Sequence, residues 1–159
     1  MVDFIGCMFL LALFLLCFYY DRKEKKRKEH EDWIYDCRQC LFRIANSFRR
    51  DCHAIAEDAF AKYTNILQHK SYRHMPDYMT NSFLSDYLES LDSLKEDYLG
   101  NVPDKVKETM RYYTFTSIPD FLIEEYSKLI SDIYNTFWDF GHLMWMQIQK
   151  PKEESKERS

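Results

Sequence analysis

The pattern of apolar and polar positions divides this chain into one continuous apolar block followed by three amphipathic stretches. Residues Phe4 to Tyr20 read FIGCMFLLALFLLCFYY, without a charged side chain. Asp21 follows, then Arg22-Lys23-Glu24-Lys25-Lys26-Arg27-Lys28. As a helix, at about 1.5 Å per residue, the apolar run covers about 26 Å, close to the thickness of a thin hydrocarbon core. Tyr19 and Tyr20 close it, where amphipathic rings favour the headgroup level. A cleaved signal peptide requires basic residues before the apolar core and small residues after it. Here Asp3 precedes the core and Phe18, Tyr19 and Tyr20 end it. The pattern predicts an uncleaved single transmembrane helix over residues 1–20 and a basic juxtamembrane collar over 21–31. Lys and Arg beside a span resist translocation. The amino terminus is therefore expected outside a plasma or inner membrane, and the rest in the cytoplasm. Arg22, Lys23, Lys25, Lys26, Arg27 and Lys28 are the candidate membrane-surface residues, each contributing about 1 kcal/mol near anionic headgroups.

Between Gly6 and Pro76 there is neither Gly nor Pro, so the span can continue unbroken into the first cytoplasmic helix. Beyond the collar, Ile34, Cys37, Leu41, Ile44, Phe48, Cys52, Ile55, Ala59, Tyr63 and Ile66 recur in steps of three and four, one helix face. Cys40, Ala45, Ala56, Phe60 and Leu67 widen that face. The helix is expected to fray between His69 and Met75. A second helix is predicted from about Asn81 to Leu99, with Leu84, Tyr87, Leu88, Leu91, Leu94 and Tyr98 as its stripe and Gly100 as a left-handed C-cap. Asn101-Val102-Pro103-Asp104 and Ser117-Ile118-Pro119-Asp120 both resemble helix starts, with a capping side chain, Pro in the first turn and an acid three residues on. The first opens a short helix to about Tyr112, followed by a bend at Tyr113–Thr116. The second opens a long helix carrying Phe121, Leu122, Tyr126, Leu129, Ile130, Ile133, Phe137 and Trp138. Pro151 is expected to end it, leaving 151–159 as a solvated, disordered tail. No β pattern exceeds four residues. The predicted fold is all-α: a membrane helix carrying a bundle of three long helices and one short one over 32–150.

Charge narrows the partners. The first 31 residues hold six basic and five acidic groups; the whole chain has 22 and 26, so the remainder carries 16 and 21, a net of −5. An acidic body argues against a nucleic-acid surface, which needs clustered Lys and Arg. The 17% aromatic content offers much burial per residue to a bundle of this size.

Five cysteines are present, Cys7, Cys17, Cys37, Cys40 and Cys52. Cys17 lies near the cytoplasmic boundary, where acylation is one reading and a small apolar residue in a span the plainer one. Cys37-x-x-Cys40 with Cys52-His53 offers four zinc-type ligands. On one helix, however, Cys40 and Cys52 lie about 18 Å apart along the axis, and a tetrahedral zinc cannot gather both. Cys37 and Cys52 read better as small core residues. Asp139-Phe140-Gly141-His142 has the spacing of a di-metal carboxylate–histidine pair, but without the second pair that such sites need. The chain has three glycines, so no phosphate-binding loop, and no Ser nucleophile or His-Glu-x-x-His motif. No catalytic residue, metal ligand, cofactor or small-molecule substrate is identified.

The stretch YNTFWDFGHLMWMQI, residues 134–148, is apolar around most of its circumference. Such a helix is either central to a bundle or binds something. The sequence therefore predicts a non-enzymatic, membrane-anchored scaffold that binds a protein partner or itself, with Trp138, Phe140, Met144 and Trp145 as anchors. Two alternatives are a membrane-perturbing effector or defence component, and a metal or redox protein using the Cys/His group.

Overall fold

Among the described residues the fold is made of three helices: α1 (Val2–Gln68), α2 (Asp77–Gly100) and α3 (Asp120–Glu157). The computed structural model describes residues 2–68, 77–102, 106 and 117–157, with side chains at 13–68, 81–102, 106 and 117–149. The chain is all-α, with no strand among the described residues. Contacts divide it into two units, residues 1–39 and 40–159.

The first unit is the amino-terminal part of α1. Seven large apolar residues between Leu13 and Tyr20 are 43–72% exposed. Leu13, Phe14, Leu15 and Leu16 are consecutive, so they point to every side of the helix. The collar is exposed too, laced by the i,i+4 pairs Lys28–Glu24 at 3.5 Å and Arg27–Glu31 at 3.6 Å. Among the described residues no helix is long and apolar enough to cross a membrane. Leu13–Tyr20, the described side chains of the predicted span, fall short by themselves of the about 20 apolar residues a crossing takes.

The second unit is the helical bundle. Its interior is built from Leu41, Phe48 and Cys52 on α1, Tyr87, Leu91 and Tyr98 on α2, and Leu122, Ile130 and Ile148 on α3. Tyrosines stitch the helices together. The Tyr98 hydroxyl donates to Asp51 Oδ2 at 2.6 Å, joining α2 to α1. Tyr126 donates to the Tyr98 carbonyl at 3.0 Å and Tyr87 to the Phe137 carbonyl at 2.7 Å, joining α3 to α2. With Tyr134 donating to Asp92 Oδ1 at 2.6 Å, positions falling along α2 meet positions rising along α3, so the two run antiparallel. Each bond gives a buried or half-buried phenol its partner while its ring supplies apolar area.

The helix faces follow the predicted periods with a shift. On α1 the seam runs through the small residues Cys40, Ala45, Ala56 and Ala59, whereas Ile34, Ile44, Ile55, Tyr63 and Ile66 are half-buried flanks. On α2 Asp86, Glu89, Asp92, Glu96 and Asp97 are exposed.

Four predicted boundaries move. α2 begins at Asp77, earlier than Asn81. Gly100 is not a left-handed cap, since no described glycine takes a positive φ. The Asn101 N–H still reaches the Asp97 carbonyl at 3.1 Å, and the Asn101 side chain also donates to that carbonyl, so Asn101 closes α2. α3 starts at Asp120, with the Pro119 carbonyl accepting from Leu122 at 3.0 Å and Ile123 at 3.4 Å, which gives Pro119 the capping position predicted for Ser117. Asp120 then sits favourably at the positive end of the helix dipole. Pro151 does not end α3, which continues to Glu157. Pro151 lacks the N–H that would bond the Gln147 carbonyl, but the Lys and Glu residues that follow are strong helix formers. The predicted disordered tail is thus helical through Glu157. Val102 and Val106 are helical and buried. The rest of the predicted short helix, the bend at 113–116 and the fraying at 69–75 lie outside the described residues.

Candidate docking groove

The bundle carries a groove of about 760 Å³ between α1 and α3. Arg49, His53, Ala56, Glu57, Phe60 and Ala61 form the α1 side, at helical steps of three and four. Leu129, Asp132, Ile133, Thr136, Phe137 and Phe140 form the α3 side with the same period. Ala56 and Ala61 leave the space that longer side chains would fill. The floor is apolar, with Ala56, Ile133 and Phe137 buried. His53 meets Phe137 edge to face, ring centroids 4.9 Å apart. The lips are exposed and charged, with Arg49 and Glu57 on α1 and Asp132 on α3. None of the three forms an ion pair among the described residues. Phe60 is also exposed, its ring tilted against Tyr63 at 5.9 Å.

Of the four predicted anchors, only Phe140 lines this groove. Trp138 is 38% exposed, its ring over His142 at a centroid distance of 3.7 Å, and His142 Nε2 is buried without a hydrogen-bond partner among the described residues. Trp145 is half-buried. Met144 is 4% exposed and belongs to the interior of the bundle. Leu143 and Met146, which the sequence did not single out, are the more exposed apolar residues of this stretch. The signal for the groove was present in the sequence as alanines facing helix-spaced apolar positions on another helix, but the pairing of α1 with α3 was not.

Cys37, Cys40 and Cys52 are free thiols and buried. Among the described residues no three of His, Cys, Asp and Glu gather as a metal site. Burial, with the charge of Asp51 adding, pushes the Cys52 thiol up to about 12. It is a protonated packing group, not a thiolate. Burial also raises the phenols of Tyr87, Tyr98 and Tyr126, and Tyr134 to about 12; hydrogen bonds to Asp51 and Asp92 add to the rise at Tyr98 and Tyr134.

These raised values set an alkaline limit. The folded state holds the neutral forms, whereas the unfolded chain loses these protons near 9 for Cys and 10 for Tyr. Their contribution is complete below pH 9 and is lost as pH rises towards 12. The thermal midpoint, measured under reducing conditions, is expected to be flat in this respect from pH 7 to 9 and then to fall. An undiminished midpoint at pH 11.5 would contradict the packing of these groups.

The architecture is an all-α helical bundle that carries an apolar-floored groove with charged lips. No protein-family model matches the sequence, and no match to it was found among curated proteins or solved structures.

Proposed function

We propose that this chain is a membrane-anchored, non-enzymatic interaction protein, held by its amino-terminal helix and presenting its bundle to a protein partner on the cytoplasmic side. One observation carries the tether. Leu13 to Tyr20 is a stretch of α1 bare on every side, and contiguous exposed apolar surface of that kind marks a membrane or protein contact. In the sequence it continues without a charge back to Phe4 and is followed by the exposed basic collar. Together these are the apolar length and the one-sided charge that a single-pass anchor needs. The groove supports the interaction reading.

Leu15→Arg together with Leu16→Arg is the test. An arginine costs up to about 2.5–3.5 kcal/mol at the centre of a span on insertion scales, and two of them about a turn from it add their costs. The double variant is expected to move the protein from the alkaline-washed membrane pellet to the supernatant while its helical melting transition persists. Retention in the pellet after both substitutions would remove the tether.

A further inference from the structure

We propose that the α1–α3 groove receives an amphipathic helix from a partner protein, one whose apolar face is flanked by basic side chains. The inference rests on the interaction reading above and gives it a contact surface and a partner chemistry.

Shape comes first. The α1 lip runs from Arg49 to Ala61 and the α3 lip from Leu129 to Phe140. At 1.5 Å per residue each is about 17–18 Å long, room for about three turns of a docked helix. The floor of Ile133, Phe137 and Phe140 offers a continuous apolar track for side chains at i, i+3, i+4 and i+7. Phe60, half out of the groove, supplies a ring that a docked helix would cover.

Charge chooses the occupant. Each lip carries an exposed carboxylate, Glu57 on α1 and Asp132 on α3, and neither is spent on an ion pair among the described residues. Arg49 is the one guanidinium of the lining. A helix lying between the lips meets an acid on both flanks, so bases on both sides of its apolar face complement it. The net −5 of the chain after residue 31 adds a long-range field of the same sense. A second copy meets the groove with that same acidic body. Its basic collar, 22–28, has no apolar side chain to cover the floor. A partner of basic amphipathic character fits where a copy does not.

The test uses the full chain in phosphatidylcholine nanodiscs, with empty nanodiscs as the reference. The probes are two labelled model helices of about 18 residues, with Leu on one face and either Lys or Glu elsewhere, followed by fluorescence anisotropy. The Leu/Lys helix is expected to bind chain-loaded discs at least about tenfold more tightly than the Leu/Glu helix, beyond any binding to empty discs. Glu57→Lys with Asp132→Lys, both exposed and so neutral to folding, is expected to reverse that preference. Ala61→Trp, which fills the groove, is expected to abolish binding of both. The proposal is overturned if the preference survives the charge reversal, or if the peptide binds loaded and empty discs alike. It is equally overturned if the chain alone forms a dimer that the charge reversal dissociates, since a second copy is then the occupant. The two readings fail separately. A chain that pellets with membranes yet ignores the peptide keeps its tether and loses this groove. A chain that needs no detergent for release loses its tether whatever the peptide does.

Discussion

Replacing Phe48 by alanine is expected to lower the stability of the bundle by about 3–5 kcal/mol, the range for removing a fully buried aromatic ring. Phe48 is 0% exposed and its ring lies 5.2 Å from that of Tyr98, tilted by 55°. Tyr98 is in turn held by its bonds to Asp51 and, through its carbonyl, to Tyr126. The wall of the vacated space is therefore fixed at both ends and can collapse little, so the cavity cost adds to the lost transfer energy. The measurement is urea unfolding of the full chain in non-ionic detergent, followed by circular dichroism. Phe42→Ala is the matched control, because Phe42 is exposed on the same helix. Its expected effect is within about 0.5 kcal/mol. Equal effects at the two positions would contradict the packing described.

Gly141→Ala is the second large effect and runs against helix propensity. In an open helix, alanine for glycine stabilises by about 1 kcal/mol. Gly141 is buried against the ring of Tyr87, and a Cβ there would fall inside contact distance of the Tyr87 Cε1 and Cδ1 atoms. That ring cannot swing aside freely, because its hydroxyl is bonded to the Phe137 carbonyl one turn before Gly141 on α3. Overpacking of about 1–3 kcal/mol joins the loss of a buried hydrogen bond, and together they outweigh the propensity gain, for a net destabilisation of about 2 kcal/mol. Gly100→Ala is the contrast, since nothing lies within 4 Å of the added methyl and the backbone there is right-handed. It is expected to stabilise slightly. Thermal melts of the two variants should therefore move in opposite directions.

Much of the fold was legible because apolar period alone sets a helix face. Cys37, Cys52 and Phe48 stood on the predicted stripe and are buried. Tyr87, Leu91 and Tyr98 stood on the predicted stripe of α2 and are buried, while the acids Asp86, Glu89 and Asp92 are exposed. What failed to read were places where tertiary packing selects among local options. On α1, Cys40, Ala45 and Ala56 are buried beside Leu41, Phe48 and Cys52, while the isoleucines of the predicted stripe are only half-buried flanks, because small residues let helices approach. Gly100 was free to cap α2 in a left-handed conformation, but it stays right-handed and Asn101, through its N–H and its side chain, closes the helix on the Asp97 carbonyl. Pro151 costs one backbone bond, which strong helix formers on its far side offset. Met144 and Trp138 looked alike on a helix apolar all round; only the position of α2 and α1 against α3 turns Met144 inward and leaves Trp138 outside. The groove was the least legible feature. Glu57 and Asp132 are 75 positions apart by their numbers, and nothing local says that they face one space.

The anchor is what the functional account stands on, and the distribution of the unmodified chain between membrane and buffer tests it most directly. After lysis, membranes are washed with high salt and then with alkaline carbonate, and the remaining pellet is taken up in non-ionic detergent. The chain is expected to stay with the pellet through both washes and to be released by detergent alone. Appearance of the intact chain in the first detergent-free supernatant would contradict it.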